Sequence, residues 1–150
     1  MTIKQQIEAD LKQAMLSGDK VLTTTLRGLK SSILDEEIAK NLRETGLSDD
    51  QTIPLLQKEA KKRQESADLF ARGGNDEKHQ AELDEKVVIE KYLPAPMSED
   101  EIKSLIDEAV SSTNASGMQA MGQIIGLVKQ KIGPAADGSV IARLVKEKLQ

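Results

Sequence analysis

The 150-residue chain contains no cysteine and no tryptophan, and Phe70 and Tyr92 are its only aromatic side chains. Without cysteine there is no disulfide framework, no thiolate nucleophile and no cysteine metal site, which fits a reducing compartment. With two aromatics the chain has no platform on which unpaired bases could stack, so recognition of single-stranded nucleic acid by stacking is excluded. No run of about 18 apolar residues is present to span a bilayer. The opening segment, "MTIKQQIEADLKQ", is charged from its fourth residue and has no apolar stretch of the kind a cleaved signal needs. A soluble, cytoplasmic protein is the expectation.

Chemistry is also thinly supplied. The one histidine, His79, sits in the polar string "NDEKHQAE", where a solvated helix residue is the reading favoured over a base or ligand. No nucleophile elbow, phosphate-binding glycine loop or paired-histidine motif occurs, and the carboxylates are scattered along helix faces. The sequence therefore assigns no catalytic residue, no cofactor and no metal site.

What the chain does have is helical period. With 31% charged residues and an aliphatic core alphabet, the composition favours amphipathic helices and an all-α fold. Ile3, Ile7, Leu11, Ala14 and Met15 share one face up to Ser17-Gly18, and Asp19 can cap a second helix. Leu22, Leu26, Leu29, Ile33 and Ile38 continue that second helix, which Gly46 is expected to end. Ser48 with Gln51 makes a capping box for a third, although Pro54 fits better in a first turn begun at Thr52. Ile53, Leu56, Ala60, Ala67 and Phe70 line the third helix to Gly73-Gly74, and Leu83, Val87, Val88 and Tyr92 line a fourth. The run Lys61-Lys62-Arg63 is flanked by Glu59 and Glu65 and reads as a solvated, self-paired face.

Two prolines in "YLPAPMSEDEI" forbid further helix, and Ser98 with Glu101 opens a new one through a capping box. The chain thus divides into an N-terminal bundle of about four helices, residues 1–93, and a C-terminal three-helix domain, residues 98–150. The three helices are expected near 99–112, 117–132 and 139–149.

In the C-terminal part the charges are sorted. Residues 98–110 carry five acidic side chains against Lys103, whereas residues 117–150 carry Lys129, Lys131, Arg143, Lys146 and Lys148 against Asp137 and Glu147. Such a patch can meet phosphate although the chain's formal net charge is −4. The helix dipole alone also favours acid at the first helix start and base at the later helix ends. In "MGQIIGLVKQKIGPAADGS", Gly122 and Gly126 interrupt a helical pattern four residues apart, each at a cost of roughly 0.5–1 kcal/mol. A G-x-x-x-G face lets another backbone come close; a neighbouring helix is favoured as the occupant over a polyanion's backbone. Gly138 opens the last helix, where free N–H groups can receive an anion, although Asp137 as cap would compete.

Three segments together, "DLKQAMLSGDKVLTTTLRGLKSSI", "EKYLPAPMSEDEI" and "MGQIIGLVKQKIGPAADGSVIARLVKEKL", resemble stand-alone GatB/YqeY-domain proteins of the YqeY-like group. The resemblance covers essentially the whole chain. It implies that the C-terminal part is similar to the helical tail of the B subunit of the tRNA-dependent amidotransferase, which converts misacylated Glu-tRNA(Gln) or Asp-tRNA(Asn) to the amide. That tail does no chemistry and grips the outer, elbow region of tRNA; the kinase-like catalytic cradle of the B subunit has no counterpart here. A label of carbon–nitrogen ligase with glutamine as amido donor would thus be inherited by domain similarity. Met121, Gly122, Gly126, Lys129, Lys131 and the run Ala136-Asp137-Gly138 match the tail's motif. Of these, Gly122, Gly126, Lys129, Lys131 and Gly138, with Arg143 and Lys146 from the charge sorting, are the candidate tRNA-binding residues. The resulting expectation is a non-catalytic, tRNA-binding accessory protein of open oligomeric state; a protein–protein adaptor is the alternative, and catalysis by this chain alone is disfavoured.

Overall fold

Capping residues and apolar spacing together set the helices. The computed structural model describes residues 1–150, apart from the side chain of Pro134. Among the described residues there are seven α-helices, two short 3₁₀ turns and no strand. The all-α fold is therefore present. By internal contacts the chain falls into two compact units, Met1–Leu93 and Pro94–Gln150.

The first unit is built from α1 (Ile3–Ser17), α2 (Lys20–Ala39), α3 (Asp49–Arg72) and α4 (Asp76–Glu90). Gly18 closes α1 at φ 75°, a left-handed conformation that suits glycine. Asp19 Oδ1 accepts the Leu22 N–H to start α2. Ile7, Leu26, Ile33, Leu56 and Ile89 are at most 2% exposed and form the aliphatic centre. Burial of each such side chain contributes roughly 1.5–3 kcal/mol against an exposed reference.

One boundary differs from the sequence expectation, and another, which the sequence left open between Ser48 and Thr52, falls at Ser48. The second helix ends at Ala39, well before Gly46, because the chain turns at Asn41 (φ 57°) and drops Leu47 into the core at 3% exposure. The third begins at Ser48, whose hydroxyl accepts the Gln51 N–H while Gln51 reaches back to Ser48 N–H. Pro54 thus lies inside α3, one turn beyond the position that would suit it best. His79 differs too. It is half-buried, and its Nδ1 lies 2.7 Å from the Ala67 carbonyl oxygen, so it joins α4 to α3 rather than facing water. Arg63 makes a parallel join, reaching Glu82 and Glu85 at 3.3 Å each. At the end of the unit the Tyr92 hydroxyl donates to Asp10 Oδ2 at 2.6 Å, and burial with the Asp10 charge holds the phenol protonated well above its usual range.

The second unit holds α5 (Glu99–Thr113), α6 (Met121–Ile132) and α7 (Gly138–Leu149), with 3₁₀ turns at Met118–Ala120 and Gly133–Ala135. Ile102 and Ile106 of α5, Ile124 and Val128 of α6, and Ile141 and Val145 of α7 meet in one core, each at most 1% exposed. The Met97 N–H donates to the Ala135 carbonyl at 2.9 Å and ties the Pro-rich segment to this core. Ser98 and Glu101 form the expected capping box at the start of α5. Ser98→Ala is expected to lower unfolding stability by about 1 kcal/mol. A urea midpoint equal to that of the parent would show that the cap contributes nothing.

Candidate nucleic-acid interface

The position of each α6 side chain follows from its core contacts. Ile124, Val128 and Ile132 recur every fourth residue and are buried, which fixes the inward face. At about 100° per residue, Gly122 and Gly126 then fall on the opposite side of the helix. Both are exposed, and a Cβ built on either would meet no other atom within 4 Å. The neighbouring helix that the sequence favours as occupant is therefore not there among the described residues. The glycines gain no packing inside the fold, yet each carries the helix penalty of a missing side chain.

Gly133 extends the same strip, seven residues on from Gly126. It too has open space where a Cβ would go. Its φ of 61° with ψ of −135° is a conformation open essentially to glycine alone. From sequence alone Gly133-Pro134 reads only as a stop signal; the spacing from Gly126 was the overlooked clue.

Lys129 borders the strip. Its Cε and Nζ lie 3.3 Å from where a Cβ on Gly138 would sit, so the lysine stem crosses from α6 to the first residue of α7. A methyl group on Gly138 would meet only the flexible end of Lys129, which can shift to make room. At the same turn Asp137 Oδ1 accepts the Ser139 N–H at 2.8 Å and its hydroxyl at 2.9 Å.

The other cations are arranged differently. Arg143 forks between Glu99 in the first turn of α5 and Glu147. Lys131 lies 3.9 Å from Glu108, and Lys148 lies 3.0 Å from Asp107. The sorted charges of the sequence thus face one another across the unit, with acidic α5 opposite basic α6 and α7. These pairs are at least 46% exposed on each side. In that setting an ion pair contributes roughly 0–1 kcal/mol and exchanges easily. Lys129 and Lys146 make no ion pair among the described residues. Lys146 shares the outward face of α7 with Ser139 and Arg143. It stands roughly 12 Å along the helix from Gly138.

The structure therefore gathers Gly122, Gly126, Lys129 and Gly138 into one surface, with Gly133 added. It draws Lys131 and Arg143 toward α5 and leaves Lys146 apart on α7. No group of three or more His, Asp or Glu side chains among the described residues is placed to hold a metal ion. No helix there is long and apolar enough to cross a membrane.

Several known proteins are similar in sequence to this chain. A protein of Pyrenophora tritici-repentis named altered inheritance of mitochondria protein 41, mitochondrial, is 28% identical over 149 residues, covering 95% of this chain and 78% of that one. A protein of the same name from Eremothecium gossypii is 34% identical over 89 residues, 59% of this chain and 48% of its own. One subunit of the glutamyl-tRNA(Gln) amidotransferase of Thermococcus gammatolerans is 40% identical over 58 residues, which is 36% of this chain and only 9% of that protein. The family model described as Yqey-like protein matches residues 4–149. A match over all but the first three residues and the last shows the family: the chain belongs to the Yqey-like protein family.

Proposed function

We propose that this chain is a cytoplasmic, non-catalytic accessory protein that holds folded RNA, tRNA above all, through the glycine strip of α6 and the lysine beside it. One observation carries the reading. Gly122 and Gly126 leave an open, destabilising gap on an exposed helix face, bordered by Lys129, which makes no ion pair among the described residues. A surface of this type admits a rigid sugar–phosphate backbone to close range and offers it charge, without reading base edges. The partial match to an amidotransferase named for glutamyl-tRNA(Gln) supports the ligand class. The scarcity of aromatics agrees, because a folded RNA surface needs no stacking platform. Lys131, Arg143 and Lys146 would contribute as exposed cations, the first two from pairs weak enough to exchange for phosphate.

Binding of this kind releases counterions and weakens as salt rises. Lys129→Gln is expected to lower the slope of log affinity against log salt by about one and to weaken tRNA binding several-fold. A slope identical to that of the parent would remove Lys129 from the contact. The competing occupant is a helix of another protein, since the G-x-x-x-G face admits that as well. A partner recovered through nuclease treatment and moderate salt, with no tRNA binding by the purified chain, would put the adaptor reading first.

A further inference from the structure

The α6 surface draws on only one of the sequence's three marker segments, and another of them contains the stretch "VLTTTLRGLKSS" in α2. From Lys20 to Leu34 this helix carries Lys20, Arg27 and Lys30 and not one acidic side chain. Its buried face is set by Leu26, Leu29 and Ile33. On the opposite side, spaced four, three and four residues apart, lie Lys20, Thr24, Arg27 and Ser31, all exposed. Lys30 is exposed on the flank of that stripe.

None of these three cations is in a hydrogen bond or ion pair among the described residues. Some basic side chains of the same unit are occupied, Lys4 by Glu37, Lys40 by Glu36, Lys62 by Glu59 and Lys86 by Glu90, whereas Lys12, Arg43, Lys58, Lys61, Arg72 and Lys91 are in no ion pair among the described residues. What sets α2 apart is that its three cations lie in a stretch without acid. The nearest wall carries carboxylates, because Thr24, Gly28 and Ser32 of α2 border a cleft shared with Glu59 and Glu85. Arg63 holds both, at 3.9 Å and 3.3 Å, but it also holds Glu82. With Lys62 on Glu59, two cations face three carboxylates, so this wall stays acidic and a phosphate contact belongs on the side of α2 turned away from it. Gly28 repeats the pattern of α6: it is an exposed glycine inside a 20-residue helix, and a Cβ there would meet nothing within 4 Å. The fold gains nothing from it, and a helix interior is weaker for it.

We propose that the outward face of α2, with Lys20, Arg27 and Lys30 as its charges and Thr24, Ser31 and Gly28 between them, is a second contact for the phosphate backbone of folded RNA. Lysine, arginine and small hydroxyl side chains are the groups that meet phosphate oxygens. From Lys20 to Ser31 they extend along about 16 Å of helix. In this half Val21, in the first turn, is the exposed large apolar side chain. Exposed Leu34 and Ile38 lie further on, where acid returns at Asp35 and Glu36. This surface rests on the ligand class proposed for α6 but shares none of its residues, so the two stand or fall separately.

The test uses the full chain with Lys20, Arg27 and Lys30 all changed to glutamine, titrated with total tRNA between about 50 and about 200 mM salt. The expected result is a salt slope lower by about three, affinity at least tenfold weaker at the lower salt and an unchanged melting temperature. A parental slope in this variant, when Lys129→Gln has lowered its own, overturns the α2 contact and leaves the α6 reading in place. The reverse pattern overturns the α6 reading and leaves α2. Should the triple variant melt early, Gly28→Gln serves in its place. It is neutral, favours helix and fills the open position, and it is expected to weaken tRNA binding while raising the melting temperature; parental affinity in it overturns the proposal.

Discussion

A chain carrying Gly122→Gln and Gly126→Gln is expected to be more stable than its parent and to bind tRNA at least tenfold less tightly. The stability gain follows from helix propensity: glutamine is better than glycine in a helix interior by about 0.5 kcal/mol at each site. Nothing opposes the gain, since a Cβ at either position meets no atom of the fold within 4 Å. The binding loss follows from the same open space, because two neutral side chains would hold a phosphate backbone away from α6 and Lys129. The opposed signs give the experiment its force. A packing role for the glycines predicts a destabilised variant, and an idle surface predicts unchanged affinity. Thermal unfolding and one titration separate the three.

The second large effect lies in the other unit. Glu37 is 1% exposed, accepts the Lys4 ammonium at 2.8 and 3.0 Å, and accepts the Leu47 N–H at 3.1 Å. It therefore clasps the loop after α2 to the first turn of α1. Burial pushes its carboxyl pKa up, but the hydrogen bonds from Lys4 and Leu47, with the charges of Lys4 and Arg43, outweigh that and hold it below the ordinary 4.5. Glu37→Ala is expected to cost about 3 kcal/mol, since it strands a buried N–H and removes the partner of a half-sheltered ammonium. Because the folded-state value is the lower one, the unfolded chain binds more protons in the window between the two. The contribution of Glu37 is therefore complete above the ordinary carboxyl value and is lost as pH falls through the depressed one. Glu37→Gln should flatten the acid limb of a stability–pH curve and lower the plateau at neutral pH. Equal urea midpoints for parent and Glu37→Ala at neutral pH would refute the clasp.

These two cases also mark how far the sequence could be read. The helices were legible because each announces itself locally: Ser48 with Gln51 and Ser98 with Glu101 are three residues apart, and Gly18 follows an unbroken apolar period. The glycine strip was legible for the same reason, as Gly122 and Gly126 are neighbours one turn apart. What covers them was not. Whether a helix packs on that face depends on how α5, α6 and α7 settle around Ile106, Val128 and Val145, and the structure leaves the face open. Glu37 was invisible because its partner Lys4 is 33 residues away and its other partner is a backbone amide in a loop. The same held for the charge sorting, whose meaning changed once Glu99, Asp107 and Glu108 were found opposite Arg143, Lys148 and Lys131. His79 looked solvated because an acceptor on another helix leaves no trace in its own string of polar neighbours.

The central claim is that this chain recognises the folded shape of tRNA through sparse, glycine-spaced cations. The most direct test is a titration of the purified full chain with total tRNA and with a length-matched double-stranded RNA, at low and at physiological salt. The account predicts tighter binding to tRNA and a preference that persists at the higher salt. Equal binding to both RNAs that physiological salt erases would contradict it, leaving only weak charge attraction on a surface meant for something else.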